Sequence, residues 1–472
     1  MSMAGGRNPL SRDPRVALGP PISIGPRVAT VPSCLYPSPY KDFSAAQLRM
    51  TPADREAIWL TQSQSGLRQA LSALAYGGYR RFATAHLFTS LGSHLLQTAI
   101  FWQVYELTGS ALLLGLTGLA RAGPHIVLSL VGGVFADRLD RVRLIQAGQA
   151  MNVILLVGLT ALTASGTVEI WHLYAITVLN GAFSAVTQPA RTALIANLVP
   201  RERLLNVVAL NATIAQTSQI AGPALAGVGI ATVGLGPAYL LNALLYLAAV
   251  TSIVGIRVPA ASSKPTESPW RSFVDGMSFV RSRPVIISLL VLDLGAVVLG
   301  SYRALLPIFA ETLGAGAGGY GLLSAAPGVG SLVAAVFMLS LGDMRYKGLY
   351  TVFGVLAYSA ALALLAASSW FYLSLLAASL LGATNSVQMI PRNSVILSIP
   401  PDALRGRVAA FRSMLAGGGP PLGYAISGGV AAVLGAPLAL MLGAAACALL
   451  VIGIGTAHRE LRDPHLGSTD SP

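Results

Sequence analysis

Residues 132–143 read GGVFADRLDRVR, and five of these twelve positions are charged. The rest of the chain is apolar: 54% of its 472 residues are hydrophobic and only 10% are Asp, Glu, Lys or Arg. A soluble protein carries about 25% charged residues, enough to clothe a water-facing surface. Mostly apolar runs flank the stretch on both sides, each near the ~20 residues that a helix needs to cross a bilayer. GGVFADRLDRVR is therefore a loop between two spans of an all-α polytopic membrane protein. Helices are the element, because every backbone group must be satisfied in lipid and the runs are too long for barrel strands.

Working outward, spans fall near 83–107, 111–136, 143–165, 170–195, 204–232 and 236–257, then 285–310, 318–342, 347–368, 370–397, 405–434 and 436–457. That gives twelve transmembrane helices in two six-helix halves, 81–257 and 285–458, joined by a polar connector, 258–284. An N-terminal tail (1–80) and a C-terminal tail (459–472) flank them. The first forty residues are rich in Pro, Gly and Ser, a composition that reads as disordered. No signal-peptide pattern is present, and Met50, ahead of TPADREAIWLTQ, is a second candidate for the start. Residues 66–82 read as an amphipathic helix in the interface, with Arg80 and Arg81 at the headgroups. Cys34 lies in the tail and Cys447 in the last span, so no structural disulfide is expected.

The net charge is +13, and its distribution argues against nucleic acid as a partner. Arg138, Arg141 and Arg143 follow the second span, Arg201 and Arg203 the fourth, and Arg405 and Arg407 the tenth. Arg257, Lys264, Arg271, Arg281 and Arg283 fall in the connector, Arg345 and Lys347 after the eighth span, and Arg459 and Arg462 after the last. The alternate loops, near 108–110, 166–169, 233–235, 312–317 and 435, hold no Lys or Arg. Positive residues mark the cytoplasmic side. The expectation is a multi-pass protein of the plasma (inner) membrane with both termini cytoplasmic.

The halves read as copies. PARTALIANLVPRERLLNVVALNATIAQTSQIAGPALAGVGIATVGLGP (189–237) and PRNSVILSIPPDALRGRVAAFRSMLAGGGPPLGYAISGGVAAVLGAP (391–437) share a Pro-Arg ending, an apolar-Pro turn, a basic loop and a glycine-rich helix. The offset is about 201 residues, which puts Arg191 on Arg392 and Gly227 on Gly428. LGDMRYKG (341–348) is a faint echo of the opening stretch. Paired six-helix repeats with a site between them at the midplane are the architecture of transporters that rock one half against the other.

With these residues in view, the chain resembles the major facilitator superfamily over about 70–460. Gly132, Gly133, Asp137, Arg138, Arg141 and Arg143 match its loop signature between helices 2 and 3, with Val142 at a commonly basic position. VYELTGSALLLGLTGL (104–119), GPHIVLSLVGGVFADR, QPARTALIANLVPRERL and LRGRVAAFRSMLAGGGPPLG resemble the enterobactin-exporter and macrolide-efflux branch. The resemblance implies a cytoplasmic gate. Asp137 meets the N-terminus of helix 11, beside Arg405 and Arg407, when the cavity faces outward. A carboxylate at a helix N-terminus gains ~0.3–2 kcal/mol. The bland alternative makes these charges topology signals only.

SQIAGPALAG (218–227) resembles the antiporter motif of exporters, with Gly222, Pro223 and Gly227 matching. Small residues there allow tight packing, expected against Gly328 and Gly330 of helix 8; a generic helix crossing is the alternative. One departure is Thr177, which stands in the fourth span where such exporters often carry an arginine.

Ionisable residues inside spans are functional candidates by default. His94, Gln97, Arg121, Asp293, Arg303, Asn385 and Gln388 are the cavity or coupling candidates, and His125 also lies within a span. Ser90, Ser93, His94, Gln97, Phe101 and Tyr105 share one helical face. Asp293 is the first candidate to carry a proton and His94 the second; a structural ion pair is the competing reading of Asp293. Arg121 is free to approach Asp293 or to face the cavity. Arg191 and Arg392, near the cytoplasmic ends, are expected to snorkel. No P-loop is present, and no Cys/His cluster has metal-ligand spacing, so neither cofactor nor metal is expected and the chain is not read as an enzyme.

The sequence thus reads as a monomeric secondary exporter, proton-coupled by resemblance, for a siderophore, macrolide-like drug or other medium-sized metabolite. Arg121 and Arg303 favour an anionic cargo. An importer of lysophospholipid or nutrients on the same fold, and a membrane signalling or assembly protein, are the alternatives.

Overall fold

A computed structural model describes residues 72–256, 277–342, 344 and 346–463. Within these, the side chains of 125–127, 129–138, 196, 201, 402, 403, 405, 410, 413, 414 and 459 lie outside the description. So do the tail through residue 71, including Met50, most of the connector (257–276) and residues 464–472.

The described residues form α1 (Gly77–Thr108), α2 (Ala111–Arg138), α3 (Arg141–Ala164), α4 (Ile170–Leu198), α5 (Leu204–Val233) and α6 (Leu235–Ile253) in the first half. The second half holds α7a (Pro284–Leu299), α7b (Leu306–Thr312), α8 (Gly316–Ser340), α9 (Lys347–Ala367), α10 (Phe371–Ser398), α11 (Asp402–Leu434) and α12 (Ala436–Ala457). With α7a and α7b as two pieces of one traverse, the twelve spans match the twelve apolar runs. Eight are long and apolar enough to cross a membrane by length and composition alone. α1 is longer than any of these, at 32 residues; its polar face makes it less apolar.

Two expectations are corrected. No separate interfacial helix covers 72–82. A short turn at Ala73–Ala75 leads straight into α1, where Tyr79 and Phe82 are buried in the first half. Arg81 donates to the carbonyl of Val254 near the end of α6, at 3.3 Å. The seventh span is also not continuous. It breaks after Leu299, turns through Arg303–Leu305 and resumes at Leu306. A break in lipid must satisfy its freed carbonyls, and the Tyr358 hydroxyl donates to Gly300 O at 2.7 Å.

The repeat survives in the backbone. Gly234 ends α5 at φ 86° and Gly435 ends α11 at φ 84°, 201 residues apart. Both turns need the left-handed conformation that glycine alone adopts freely.

Among the described residues, three apolar cores hold the bundle together. One is shared by both halves and includes Leu95, Phe101, Trp102, Leu114, Ala226, Leu305, Tyr320, Leu362 and Tyr424. It sits toward the loops without Lys or Arg. A second belongs to the first half alone, with Tyr79, Ile145, Leu194, Val207 and Ile253. A third belongs to the second half alone, with Ile286, Leu289, Val395, Val408 and Val451. Both lie toward the basic loops. The halves are fused at one end of the bundle and have separate interiors at the other.

Two helix crossings make the fused end. α5 packs on α8 and α11 packs on α2. A Cβ on Gly227 would lie 2.5 Å from the Cα of Gly321, and one on Gly428 would lie 2.7 Å from the Cα of Gly115. Small residues let the backbones touch. The expected partners are partly corrected: Gly328 does face α5, at Ile220, but Gly330 faces Ser379 and Ala383 of α10. Gly222 turns the other way: a Cβ on it would lie 2.6 Å from the Cβ of His94 on α1.

Candidate functional site

The opening stretch is built locally before it does anything at a distance. Asp140 caps α3, its carboxylate accepting from Val142 N at 2.9 Å and Arg143 N at 3.1 Å, as an N-cap aspartate does. Arg141 donates to the Ala193 carbonyl in α4 at 3.5 Å. Two of its five charges therefore tie the loop to its own half. The cap is legible in the sequence as an Asp directly before a helical run. The surroundings of Gly132, Gly133, Asp137, Arg138 and Arg405 lie outside the description; the end of α2 and the start of α11, with Arg407 in its first turns, fall at the same end of the bundle.

Beneath the fused end, a tract of connected chambers runs between the halves. In one, of about 180 Å³, Gln97 and Phe101 of α1, Arg121 of α2 and Thr177 and Asn180 of α4 face Pro420 and Tyr424 of α11. His94, Gln97, Pro223, Arg303, Tyr320 and Ser324 line a second. Gln219, Tyr302, Arg303, Tyr358, Asn385 and Tyr424 line a third, of about 210 Å³. A fourth, of about 170 Å³, is walled by the first half, from His86 and His94 to Gln188 and Arg191. His94, Gln97, Asn180, Arg303 and Tyr424 each line two of the chambers, so the chambers adjoin. No Asp or Glu lines any of the four among the described residues.

Two arginines set its electrostatics. Arg121 faces the cavity rather than Asp293, and donates to the Ser93 hydroxyl on α1 at 3.2 Å. It lines the same chamber as Thr177, so a cation occupies this wall although α4 has none at that position. α2 and α4 are in backbone contact here: a Cβ on Gly181 would lie 2.5 Å from the Arg121 carbonyl oxygen. Arg303 comes from the break in the seventh span. Its guanidinium stands 5.9 Å from the Tyr302 ring centroid, within cation–π range, and Tyr320, Tyr358 and Tyr424 line the same chambers. Composition gives no hint of this aromatic ring, because its members are scattered over more than a hundred residues.

The other candidates divide. His94, Gln97 and Asn385 line the tract. Gln388 does not: it is 1% exposed, packed against Gly354 of α9, and donates to Asn385 Oδ1 at 3.3 Å. Asp293 is in an ion pair with Arg392 of α10, 2.8 Å apart. Arg392 is 3% exposed, so it does not snorkel; a partner within the protein is nearer than the headgroups. Arg412 of α11 donates to Asn393 beside it. His125 lies outside the described side chains, and no group of three or more His, Cys, Asp or Glu poised to hold a metal occurs among the described residues.

Comparison with known proteins gives a consistent picture. The family described as transmembrane secretion effector matches residues 68–470. The enterobactin exporter EntS of Shigella boydii serotype 4 is 24% identical over 391 residues, covering 83% of this chain and 94% of the relative. EntS of Escherichia coli O81 aligns with the same identity and coverage. Among solved structures, the nucleoside transporter NupG superposes with a TM-score of 0.60 at 15% identity, over 80% of this chain and 98% of that one. A bacterial homologue of the human lysosomal transporter Spinster, inward-facing and occupied, gives 0.62 at 13% identity, over 82% of this chain and 98% of that one.

Proposed function

From a chain that belongs to the transmembrane secretion effector family and has the major facilitator fold, we propose that a medium-sized, partly apolar, anionic small molecule of the siderophore kind is exported. The observation that carries this reading is the tract between the halves, walled by Arg121 and Arg303 with no carboxylate among the described residues. An arginine fork in a low-dielectric wall binds a carboxylate or catecholate oxygen pair and repels a cation, and the tyrosines around Arg303 supply apolar area for a ring.

Alternating access supplies the transport step. The glycine crossings close one end of the tract. At the opposite end the two halves keep separate cores, and on this reading cargo enters there. With the basic loops placed in the cytoplasm, this is the state that loads from the cell interior. Rocking about the crossings then opens the tract outward, and the gate residues Asp137, Arg405 and Arg407 come together at the cytoplasmic end. The setting is the inner membrane, with both termini cytoplasmic and a single chain as the working unit. Protons drive the cycle. Asp293 carries the coupling: a proton on its carboxylate releases Arg392 and loosens α7a from α10. His94, between the arginine-bearing walls, is the second carrier.

Everted membrane vesicles test this reading. Energised vesicles holding the protein should accumulate labelled catechol- or carboxylate-bearing compounds, and a protonophore should abolish accumulation. Vesicles that accumulate none of them, or that accumulate only cations of the same size, would overturn it.

A further inference from the structure

The 201-residue repeat pairs Arg191 of α4 with Arg392 of α10, and the two arginines are held differently. Arg392 has the Asp293 carboxylate of α7a at 2.8 Å. α1 packs on α4 as α7a packs on α10, yet α1 carries no Asp or Glu between Gly77 and Tyr105. Arg191 therefore has no ion pair and no hydrogen bond among the described residues, and its Nε is shut away from solvent without a partner. The Nδ1 of His86 on α1 is in the same condition. Both groups line the first-half chamber of about 170 Å³, together with Ser90, Ser184 and Gln188 and with no acid among the described residues.

Arginine does not shed its charge in a protein. The Arg191 side chain is only partly exposed, with its Nε buried; a guanidinium so placed is stabilised by a counter-charge, and its fork fits a carboxylate or phosphate oxygen pair. We propose that this chamber is a second anion site, which receives a carboxylate or phosphate group of the cargo where the other half has its own Asp293. The word cargo rests on the export reading above; the binding rests on the chamber alone. His86 and His94 are eight residues apart on α1, about 12 Å along the helix. The site is thus an inner station, one step nearer the loading end than the chambers of Arg121 and Arg303. An anionic group would rest at Arg191 and then pass to the central pair.

Thermal unfolding of the purified full chain in detergent, with benzoate or inorganic phosphate titrated at constant ionic strength, reads the site directly. Both the wild type and an Arg121→Gln/Arg303→Gln double variant should melt higher with either anion. Arg191→Gln should need at least tenfold more anion for the same shift, and Arg191→Lys should recover part of it. The Lys variant, with size-exclusion of every variant, separates lost binding from lost folding. No shift in the wild type, a shift untouched by Arg191→Gln, or one lost with Arg121 and Arg303 would each overturn the proposal. Nanodiscs separate the possible sources of the anion. An Arg191-dependent shift in pure phosphatidylcholine supports a soluble ligand. Stabilisation that appears only with phosphatidylglycerol, and is insensitive to benzoate and phosphate, makes the occupant a lipid headgroup and overturns the proposal. The vesicle assay keeps the two readings apart: a protein that shows the shift but moves nothing loses export and keeps the site, and one that exports without the shift does the reverse.

Discussion

The two halves agree where they touch and differ where they face the cavity. Gly227 meets Gly321 as Gly428 meets Gly115, and Gly234 and Gly435 make the same turn. The walls share no such symmetry. The second half pairs Arg392 with Asp293 and breaks its first helix to present Arg303. The first half leaves Arg191 without an ion pair among the described residues, keeps α1 whole and presents Arg121 from α2, held by Ser93. On the proposed reading this is a division of labour: the features preserved in both copies form the hinge, and those that diverged read the cargo and couple its movement.

The sharpest break of that comparison is at the arginines. Asp293→Ala strands Arg392 in the interior and should cost about 3–5 kcal/mol, the usual penalty for removing one partner of a buried pair. Arg191→Ala removes a cation that has no such partner and should cost less than about 1 kcal/mol. Thermal unfolding of both variants in one detergent gives the difference, and equal losses would mean that the halves are alike after all.

The crossings sharpen the other side. Gly227→Leu and Gly428→Leu each push a side chain into a facing backbone, an overpacking of about 1–3 kcal/mol. The pair should behave alike: each variant inserts in the membrane but transports poorly, and a cysteine placed near Gly115 or Gly321 becomes open to a membrane-impermeant thiol reagent from outside. A large effect at one glycine and none at the other would deny that they are two copies of one hinge.

Smaller effects belong to the walls. Arg121→Gln and Arg303→Gln should each lower transport of an anionic cargo about tenfold, equivalent to about 1.4 kcal/mol of lost transition-state or binding free energy. Transport of a neutral analogue should change little. Ser93→Ala removes only the hydrogen bond that orients Arg121, worth about 0.5–1.5 kcal/mol. Its loss of transport should stay smaller than that of Arg121→Gln, and the double variant should be no worse than Arg121→Gln alone.

Much of the fold was legible in the sequence because the bilayer simplifies the problem. Each span needs about twenty apolar residues, and charge finds the loops. What escaped was set by contacts between distant segments. The break at 300–305 hides in an apolar run, since Gly300, Ser301 and Tyr302 do not interrupt hydropathy enough to show. Asp293 and Arg392 lie 99 residues apart, and Arg392 looked like a snorkelling residue because nothing near it in the sequence is acidic. Of the glycine crossings, the sequence named Gly222 and Gly227 but misplaced a partner, because a helix offers several glycines and only packing selects Gly321 over Gly330. Cavity-facing positions were half legible. His94 and Gln97 could be picked out because polar groups on an apolar helix need a reason. Tyr302, Tyr320, Tyr358 and Tyr424 could not, since a tyrosine is at home in a core.

Counterflow in proteoliposomes of the purified protein tests the central claim most directly. Liposomes preloaded with an unlabelled catechol- or carboxylate-bearing compound are diluted into a trace of the labelled compound. A transient accumulation of label is expected that is absent from empty liposomes, strongly reduced by Arg121→Gln/Arg303→Gln, and blocked by Gly227→Leu. No accumulation for any anionic compound, or accumulation indifferent to both arginines, would contradict an anion carrier that works by alternating access through this cavity.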